Sequence, residues 1–421
     1  MARAQQRSPW SWIPTLYFNQ GIPYFAVMAL STAMYKDLGI SNAEMAFYTG
    51  WLYLPWVIKP LWSPIVEMFG TKRAWVAILQ MVLGVSLAAV AFTLPLANFF
   101  QLSLGVLWLM AFSSATHDIA ADGFYMLGLR QKEQAAFVGV RSTFYRAANV
   151  ACNGGLLFLA GEIIKMNGNP HLAWAVTFGV AGAIFFALAV YHFFVLPVPA
   201  EDRPAVRSAA PMKEFFATFS AFFRKEGIVV ILLFLLLFRL GESQLLKMVV
   251  PFLKDPVAQG GLGMSTADVG IAYGTVGIIA LILGGLAGGW LISRYGLKRC
   301  LWPLAIAIHI PDLIFVYLSQ AQPQDFMLVS ACLAVEQFGY GLGFTSYMMF
   351  MIMVSQGEHK TAHYSICTGF MALGMMLPQM ASGAIQEFFG YQNFFIYVCT
   401  ATIPAFIMTA LVKIDPAFGR E

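Results

Sequence analysis

Long apolar segments follow one another along the chain, separated by short polar stretches. A helix that crosses a bilayer needs about 20 mainly apolar residues, and the sequence contains twelve segments of that kind. They are numbered here as segments 1 to 12 and lie near 13–34, 45–66, 74–95, 101–126, 137–160, 173–196, 228–252, 267–292, 300–319, 326–353, 362–386 and 392–413. The pattern predicts an all-α integral membrane protein with twelve transmembrane helices.

The longest polar interruption falls in the middle of this series. Residues 197–226 begin PVPAEDRPAV and carry mixed charge, and 212–225 have the pattern of an amphipathic surface helix. Six segments precede this stretch and six follow it. We therefore expect a six-helix bundle over 1–196, a cytoplasmic linker over 197–226 and a second six-helix bundle over 227–421.

Composition agrees with a bilayer environment. Of the 421 residues, 59% are hydrophobic and 11% are charged, whereas soluble domains are about half apolar and a quarter charged. The basic residues occupy short loops, so no nucleic-acid partner is predicted. The five cysteines show no CxxC spacing, and we predict no disulfide framework, no metal site and no cofactor.

The distribution of lysine and arginine predicts the orientation. With the N-terminus in the cytoplasm, seventeen of these residues fall on the cytoplasmic side and only Lys36, Lys165 and Lys254 fall outside. Cytoplasmic loops are enriched in Lys and Arg, so both termini are predicted to be cytoplasmic. No cleavage site of small residues follows the N-terminal arginines, and segment 1 is therefore interpreted as an uncleaved helix.

Two loops repeat a short pattern, after segment 2 (67–73, EMFGTKR) and after segment 8 (293–299, SRYGLKR). Each has a glycine two residues before a Lys-Arg pair, as a tight turn requires, and charges that can latch neighbouring helix ends. The pattern resembles the loop signature of the major facilitator superfamily, whose plan is two six-helix repeats around a central path. The predicted gate or structural residues of these loops are Glu67, Lys72, Arg73, Arg294, Lys298 and Arg299.

Charged residues inside the predicted spans are functional candidates because a charge in lipid is costly. Segment 4 carries His117, Asp118 and Asp122, and segment 5 carries Arg141 and Arg146. The two segments run in opposite directions, so their depths match as Asp122 with Arg141 and Asp118 with Arg146. Such pairs either lock the helices or let substrate and protons compete for the acids. We assign Asp122 and Arg141 to a lock, Asp118 to proton coupling, and His117 and Arg146 to substrate binding.

The second half offers a similar set on segments 7 and 10. Arg239 and Glu242 share a helical face near mid-membrane, and positions 336, 340, 343 and 347 form a Glu-Tyr-Gly-Tyr stripe. Packing is the alternative role of such a stripe, but rings with scattered amides suit a sugar. Glu242 and Glu336 are further candidates for proton coupling. The predicted substrate contacts here are Arg239, Gln244, Tyr340 and Tyr347.

Segment 1 adds Tyr17, Asn19 and Gln20 beside a Gly-Ile-Pro kink. We predict substrate contacts for these three, with hydrogen bonds between helices as the alternative. Lys59 is expected to extend toward the membrane surface. His309 and Asp312 share a face of segment 9, which we expect to lie at the periphery.

A more specific resemblance lies in segment 4. Residues 114–123, SATHDIAADG, resemble the ATQDI-x-x-D block of the AmpG-like permeases, with His117 in place of glutamine, and the eukaryotic acetyl-CoA transporters share a version of that block. Residues 17–23, 54–64 and 336–344 resemble the same family. The resemblance implies proton-driven import of N-acetylglucosaminyl-anhydro-N-acetylmuramyl peptides across a bacterial inner membrane, by alternating access.

Two alternatives remain from the residues. One is a symporter for another glycan or for an acyl-CoA or nucleotide-linked substrate. The other is a membrane-embedded transferase, since His117 and Asp118 resemble an acyltransferase pair. Large catalytic loops are absent from the sequence and the pair lies within a helix, so we predict a transporter and not an enzyme. One chain supplies a complete path, and a monomer with a small-molecule substrate, protons and the bilayer as partners is expected.

Overall fold

The computed structural model describes residues 7–63, 66, 69–129, 131–202, 211–356, 360–416 and 418. Regular structure in these residues is helical, without a β-strand, which confirms the all-α prediction. The chain forms two compact units, Met1–Leu38 with Ile58–Pro211, and Gly39–Val57 with Met212–Glu421. Residues 39–57, predicted in the first bundle, thus group with the second unit, and the linker boundaries stay a prediction.

The helices follow the predicted segments in order. Up to residue 195 they are α1 (Ile13–Phe25), α2 (Ser31–Asp37), α3 (Asn42–Trp51), α4 (Leu54–Ile58), α5 (Lys72–Thr93), α6 (Phe99–Gly128), α7 (Gln131–Val150), α8 (Leu157–Asn167) and α9 (Pro170–Val195). From residue 211 they are α10 (Pro211–Phe223), α11 (Ile228–Leu237), α12 (Leu240–Lys254), α13 (Thr266–Ile271), α14 (Ile278–Tyr295), α15 (Leu297–His309), α16 (Leu313–Ala321), α17 (Phe326–Val354), α18 (Lys360–Ala401) and α19 (Ile403–Leu411).

Nine helical stretches among the described residues are long and apolar enough to cross a membrane. The last, His363–Leu411, has 49 residues, more than twice the length of one span. Gly390, with φ of 71°, interrupts it between segments 11 and 12. Counting this stretch as two and adding the interrupted helices of segments 1 and 2 gives twelve, as the sequence predicts.

Three predicted segments contain a π-helical turn. The turns are Ala26–Leu30 in segment 1, Ala151–Leu156 in segment 5 and Ala272–Gly277 in segment 8. Such turns are rare and shift the phase of the helix that follows them. They explain why segments 1, 5 and 8 are each divided into two α-helical pieces.

Glycines bring α14 and α17 into backbone contact. A Cβ added at Gly284 would meet the carbonyl oxygen of Phe338, and one added at Gly341 would meet that of Leu281. Small residues let membrane helices approach this closely. On the opposite side of α17, a Cβ at Gly339 would meet the carbonyl oxygen of Ala307 in α15. Helix α17 is therefore held between α14 and α15, which fixes the position of its polar residues.

Residues 39–57 pack along α18 within the second unit. A Cβ at Gly383 would meet the carbonyl oxygen of Asn42. The buried Asn42 amide donates to Gln386 Oε1 at 2.7 Å and to the Tyr391 hydroxyl at 3.0 Å, and that hydroxyl donates to Asp255 Oδ2 at 2.5 Å. These interactions account for the grouping of residues 39–57 with the second unit.

Both repeated loops contain the turn that their sequence predicts. Gly70 and Gly296 have φ of 71° and 81°, a conformation that favours glycine. The basic residues of the second loop, Arg294, Lys298 and Arg299, are exposed. Glu67, the predicted acid of the first loop, lies outside the described residues, and the gate roles stay predictions.

The first loop is latched by an acid that the sequence did not single out. Asp202 accepts the backbone N–H groups of Lys72 at 2.7 Å and Arg73 at 2.9 Å, at the first turn of α5. The Lys72 ammonium donates to the carbonyl of Val66 at 3.1 Å, and the Arg73 guanidinium donates to the carbonyl of Phe193 at 2.7 Å. Helix α5 is thereby joined to the end of segment 6.

Replacing Asp202 by Ala is expected to lower the free energy of unfolding of the first unit by about 1–3 kcal/mol, the range for a hydrogen bond to a charged group. The carboxylate also interacts favourably with the N-terminus of α5. Thermal unfolding of purified protein in detergent measures the change, with Glu201→Ala at the exposed neighbouring position as control. Equal melting temperatures for the two variants would contradict the latch.

Candidate functional site

A buried ion pair lies where segment 7 is broken. Helix α11 ends at Leu237 and α12 begins at Leu240, and Arg239 between them is not helical (φ −110°, ψ 20°). Arg239 Nε donates to Glu242 Oε2 at 2.6 Å, and Nη2 donates to Oε1 at 2.8 Å. The two residues are only 3% and 0% exposed. The break therefore lets one guanidinium hold both oxygens of a buried carboxylate.

Helix α17 completes the surroundings of Arg239. The guanidinium donates to the Tyr340 hydroxyl at 2.8 Å and lies 5.2 Å from the centre of its ring. The Phe344 ring lies 5.0 Å away on the same helix, so aromatic faces also stabilise the cation. Tyr340 is partly exposed and connects the buried pair to a more accessible side of α17.

Glu336 lies in a different environment from Glu242. It is 1% exposed, and its Oε2 accepts from the Gln337 amide at 2.9 Å. Its Oε1 is buried without a hydrogen-bond partner in the described part of the chain. A buried carboxylate with an unused oxygen is costly as an ion. Glu336 therefore differs from Glu242, whose two oxygens both accept from Arg239.

Asp312 lies on the buried face of segment 9, whose other face exposes Trp302, Ile306 and Leu313. It is 0% exposed and ends the short 3-10 turn Ile310–Asp312 between α15 and α16. Pro311 interrupts the helix at this turn, and a Cβ at Gly339 would lie 2.9 Å from the Pro311 ring. Close packing against α17 thus buries Asp312. His309, also expected at the periphery, is 3% exposed and its ring contacts Phe238.

Two other predicted substrate contacts of this unit are engaged internally. The fully buried Tyr347 donates to the Leu235 carbonyl at 2.5 Å and stacks on Phe238 with ring centres 5.1 Å apart. The Gln244 amide donates to the Leu240 carbonyl at 3.1 Å. Tyr347 thus lies in the apolar core, which favours the packing alternative, and its substrate role stays a prediction.

The first unit contains the predicted ion pair between segments 4 and 5. Arg141 Nη2 lies 2.7 Å from Asp122 Oδ1, and the guanidinium lies 4.5 Å from the centre of the Tyr17 ring. The Tyr17 hydroxyl donates to Asp122 Oδ1 at 3.4 Å. The depth argument from antiparallel helices is confirmed for this pair, and its role as a lock stays a prediction.

Asp118 lies one turn from Asp122 and has other neighbours. The Gln20 amide donates to Asp118 Oδ1 at 2.8 Å, and Lys59 Nζ lies 3.9 Å from Oδ2. Lys59 thus approaches an acid of segment 4 as well as extending along its own helix. Arg146 is partly exposed, and its predicted pairing with Asp118 stays a prediction.

His117 belongs to a buried hydrogen-bond chain that the sequence did not indicate. Its Nε2 lies 3.2 Å from the Gln80 amide nitrogen, the Gln80 oxygen lies 2.9 Å from His192 Nδ1, and His192 Nε2 lies 2.9 Å from the Thr15 hydroxyl. If the Gln80 amide donates, His192 Nδ1–H must donate in turn. The chain connects α6, α5, α9 and α1, so the histidine that replaces the family's glutamine bonds to neighbouring helices.

Two amide side chains of α1 retain unused hydrogen-bonding atoms. Asn19 is 0% exposed, and neither its amide nitrogen nor its oxygen has a partner among the described residues. The Gln20 side-chain oxygen is also buried without a partner among the described residues. Buried polar atoms are normally paired, so these atoms are candidates for contact with a polar ligand.

Long apolar helices that enclose buried charges are typical of multi-pass membrane transporters. The family model of the Major Facilitator Superfamily matches residues 15–319 and 243–421. The chain therefore belongs to the Major Facilitator Superfamily, as its repeated loop pattern predicts.

Relatives cover nearly the whole chain. It is 26% identical to the anhydromuropeptide permease of Escherichia coli (strain K12), over 94% of this chain and 78% of that protein. It is 25% identical to the Rickettsia felis protein that carries the name AmpG 4, over 93% and 94%. These similarities agree with the resemblance of segment 4 to the AmpG-like permeases.

Solved structures share the fold. The nucleoside transporter NupG has a TM-score of 0.65 at 17% identity, covering 96% of this chain and 98% of that one. The D-xylose-proton symporter has a TM-score of 0.68 at 12% identity, covering 96% of each chain. At these identities the likeness concerns the fold alone.

Proposed function

We propose that this transporter is a proton symporter that imports anhydromuropeptides or a related saccharide across the bacterial inner membrane, with both termini cytoplasmic. The substrate class is supported by similarity to an anhydromuropeptide permease over 94% of the chain. Proton coupling is supported by one observation above others. It is the buried Glu336, which retains an oxygen without a partner in the described residues beside a fully paired Glu242.

The polar groups that remain available suit a saccharide. Asn19 and Gln20 in the first unit have amide atoms without described partners, and Tyr340 in the second unit offers a partly exposed ring. Amides bind sugar hydroxyls, and rings stack on the apolar faces of sugars. Both kinds of group are present among the described residues.

The cations of the described site favour a saccharide over an acyl-CoA or a nucleotide-linked substrate. Arg239 is held by Glu242 and Arg141 by Asp122, so both guanidinium groups already have an anionic partner. A substrate with several phosphates needs cations that it can bind directly. The transferase alternative is also weakened, because His117 bonds to Gln80 within the first unit.

The three acids proposed for proton coupling differ in their partners. Glu242 accepts two hydrogen bonds from Arg239, whereas Asp118 accepts from Gln20 and lies near Lys59. Glu336 has only an amide on one oxygen. Glu336 is therefore the acid best suited to bind and release a proton, with Asp118 as the candidate in the first unit.

The proposed function is tested by uptake of labelled anhydromuropeptide into proteoliposomes, with and without an inward proton gradient. Accumulation that an uncoupler abolishes is the expected result. Absence of uptake by folded protein would discard this substrate, and other saccharides and acetyl-CoA would then be compared as competitors.

Replacing Glu336 by Gln is expected to abolish accumulation against a gradient and to leave substrate exchange across the membrane intact. A gradient of one pH unit is worth about 1.4 kcal/mol per proton, so a single coupled proton supports about tenfold accumulation of substrate. In the variant, the ratio of inside to outside concentration should fall to about one. Exchange needs no net proton movement and serves as the internal control. Glu162→Gln, at a partly exposed position beside Lys165, should behave as the unsubstituted protein. Retained accumulation in Glu336→Gln would remove Glu336 from the coupling mechanism.

A further inference from the structure

We infer that Asp312 is a second proton-binding residue of the second unit. This inference rests on the proton coupling proposed above and adds to it a residue of segment 9. None of the loops or resemblance blocks that identify the family contains Asp312.

The burial and missing partners of Asp312 carry the inference. The side chain is 0% exposed, and neither carboxylate oxygen has a hydrogen-bond partner in the described part of the chain. Transfer of an ionised carboxylate into such surroundings is far more costly than transfer of the neutral acid. With no donor to compensate a negative charge, the geometry favours the protonated form.

The charged groups around Asp312 point in the same direction. Glu336 on α17 and Glu242 on α12 act on it electrostatically, and Asp312 in turn acts on the Cys399 thiol of α18. The other titratable groups that act on these acids or on their neighbours are His309 on α15, Tyr273 in the π-helical turn, Tyr340 on α17 and Arg239 of segment 7.

The hydrogen bonds described for Arg239 go to groups other than Asp312 and Glu336. Arg239 makes two hydrogen bonds to Glu242 and a third to the Tyr340 hydroxyl. Glu336 and Asp312 are left as two buried carboxyls with three oxygens that lack described partners. A buried carboxyl without a compensating donor holds a proton at lower cost than a negative charge.

Proton exchange at Asp312 changes a single bond. Uptake forms one O–H bond on a carboxylate oxygen, and release breaks that bond and returns the proton to water, with no other bond changed. Glu336 is oriented by Gln337, whereas Asp312 is fixed by the turn at Pro311.

The test is infrared spectroscopy of the full chain in lipid, combined with uptake, for the unsubstituted protein and for Asp312→Asn, which preserves size. A protonated buried carboxyl gives a C=O stretching band that persists at neutral pH. We expect Asp312→Asn to reduce this band and to abolish proton-driven accumulation while exchange continues. Asp312→Glu, which restores a carboxyl, should recover both signals in part.

Glu226→Gln is the matched control. Glu226 is exposed, and the hydrogen bond from Lys413 holds the pKa of its carboxyl below the ordinary value. Its substitution should leave the neutral-pH band and the accumulation unchanged. An unchanged band and unchanged accumulation in Asp312→Asn would overturn the inference. Absence of proton-driven uptake in the unsubstituted protein would overturn the proposed function instead, and the infrared band alone would then decide whether Asp312 holds a proton.

Discussion

Replacing Arg239 by Met is expected to destabilise the second unit by about 3–5 kcal/mol, the cost of removing one partner from a buried ion pair. Arg239 and Glu242 are joined by two hydrogen bonds of 2.6 and 2.8 Å. The variant leaves the Glu242 carboxylate buried without its cation, and Tyr340 loses its donor. A large fall in melting temperature and in yield of folded protein should follow.

The measurement is thermal unfolding in detergent, followed for the second unit by labelling of its buried thiols Cys300 and Cys367. The double variant Arg239→Met with Glu242→Leu removes both charges and should recover much of the stability, because apolar replacements of similar size often match a buried pair. The exposed Lys413–Glu226 pair, at 2.9 Å, provides the control, since Lys413→Met should have no measurable effect. An equal effect of the two single substitutions would contradict the assigned burial.

Replacing Gly284 by Ala is expected to destabilise the same unit through packing alone. The added Cβ would meet the carbonyl oxygen and carbon of Phe338, and backbone atoms cannot move aside as the end of a flexible side chain can. Overpacking of a buried contact costs about 1–3 kcal/mol and occasionally more. The loss should also displace α17, which carries Glu336 and Tyr340, so transport should fall together with stability.

Gly289 in the same helix supplies the comparison. A Cβ at that position has no neighbour within 4 Å, and alanine is a better helix former than glycine. Gly289→Ala should therefore be neutral or slightly stabilising. Melting temperature, monodispersity in detergent and uptake distinguish the two variants. Similar behaviour of Gly284→Ala and Gly289→Ala would show that α14 and α17 are not held in backbone contact.

Several elements of the structure follow from the sequence for clear physical reasons. Apolar length predicts a spanning helix because the bilayer core has a fixed thickness. The turns at Gly70 and Gly296 follow because few other residues adopt positive φ. The Asp122–Arg141 pair follows from matching depths on antiparallel neighbours, which needs only the rise per residue.

The remaining features depend on which helix faces which. Segment 7 breaks at Arg239 without a proline or glycine at the break, and contacts with α17 hold Arg239 there. Asp312 is buried because segment 9 packs on the glycines of α17, and a single helix pattern carries no such information. His117 likewise bonds to Gln80 and His192 on helices distant in sequence. The sequence pattern thus shows which charged residues lie within the membrane spans. Their surroundings depend on tertiary contacts that the pattern does not contain.

The π-helical turns have a consequence for insertions and deletions among relatives. A π turn takes in one residue more than an α turn, and one residue corresponds to a rotation of ~100° about the helix axis. Deleting one residue from Ala272–Gly277 would let this stretch close as an ordinary α turn, with Gly284 still directed toward α17. An alignment gap of one residue at such a turn is therefore absorbed locally, whereas the same gap inside a regular α-helical piece would rotate the rest of that membrane helix.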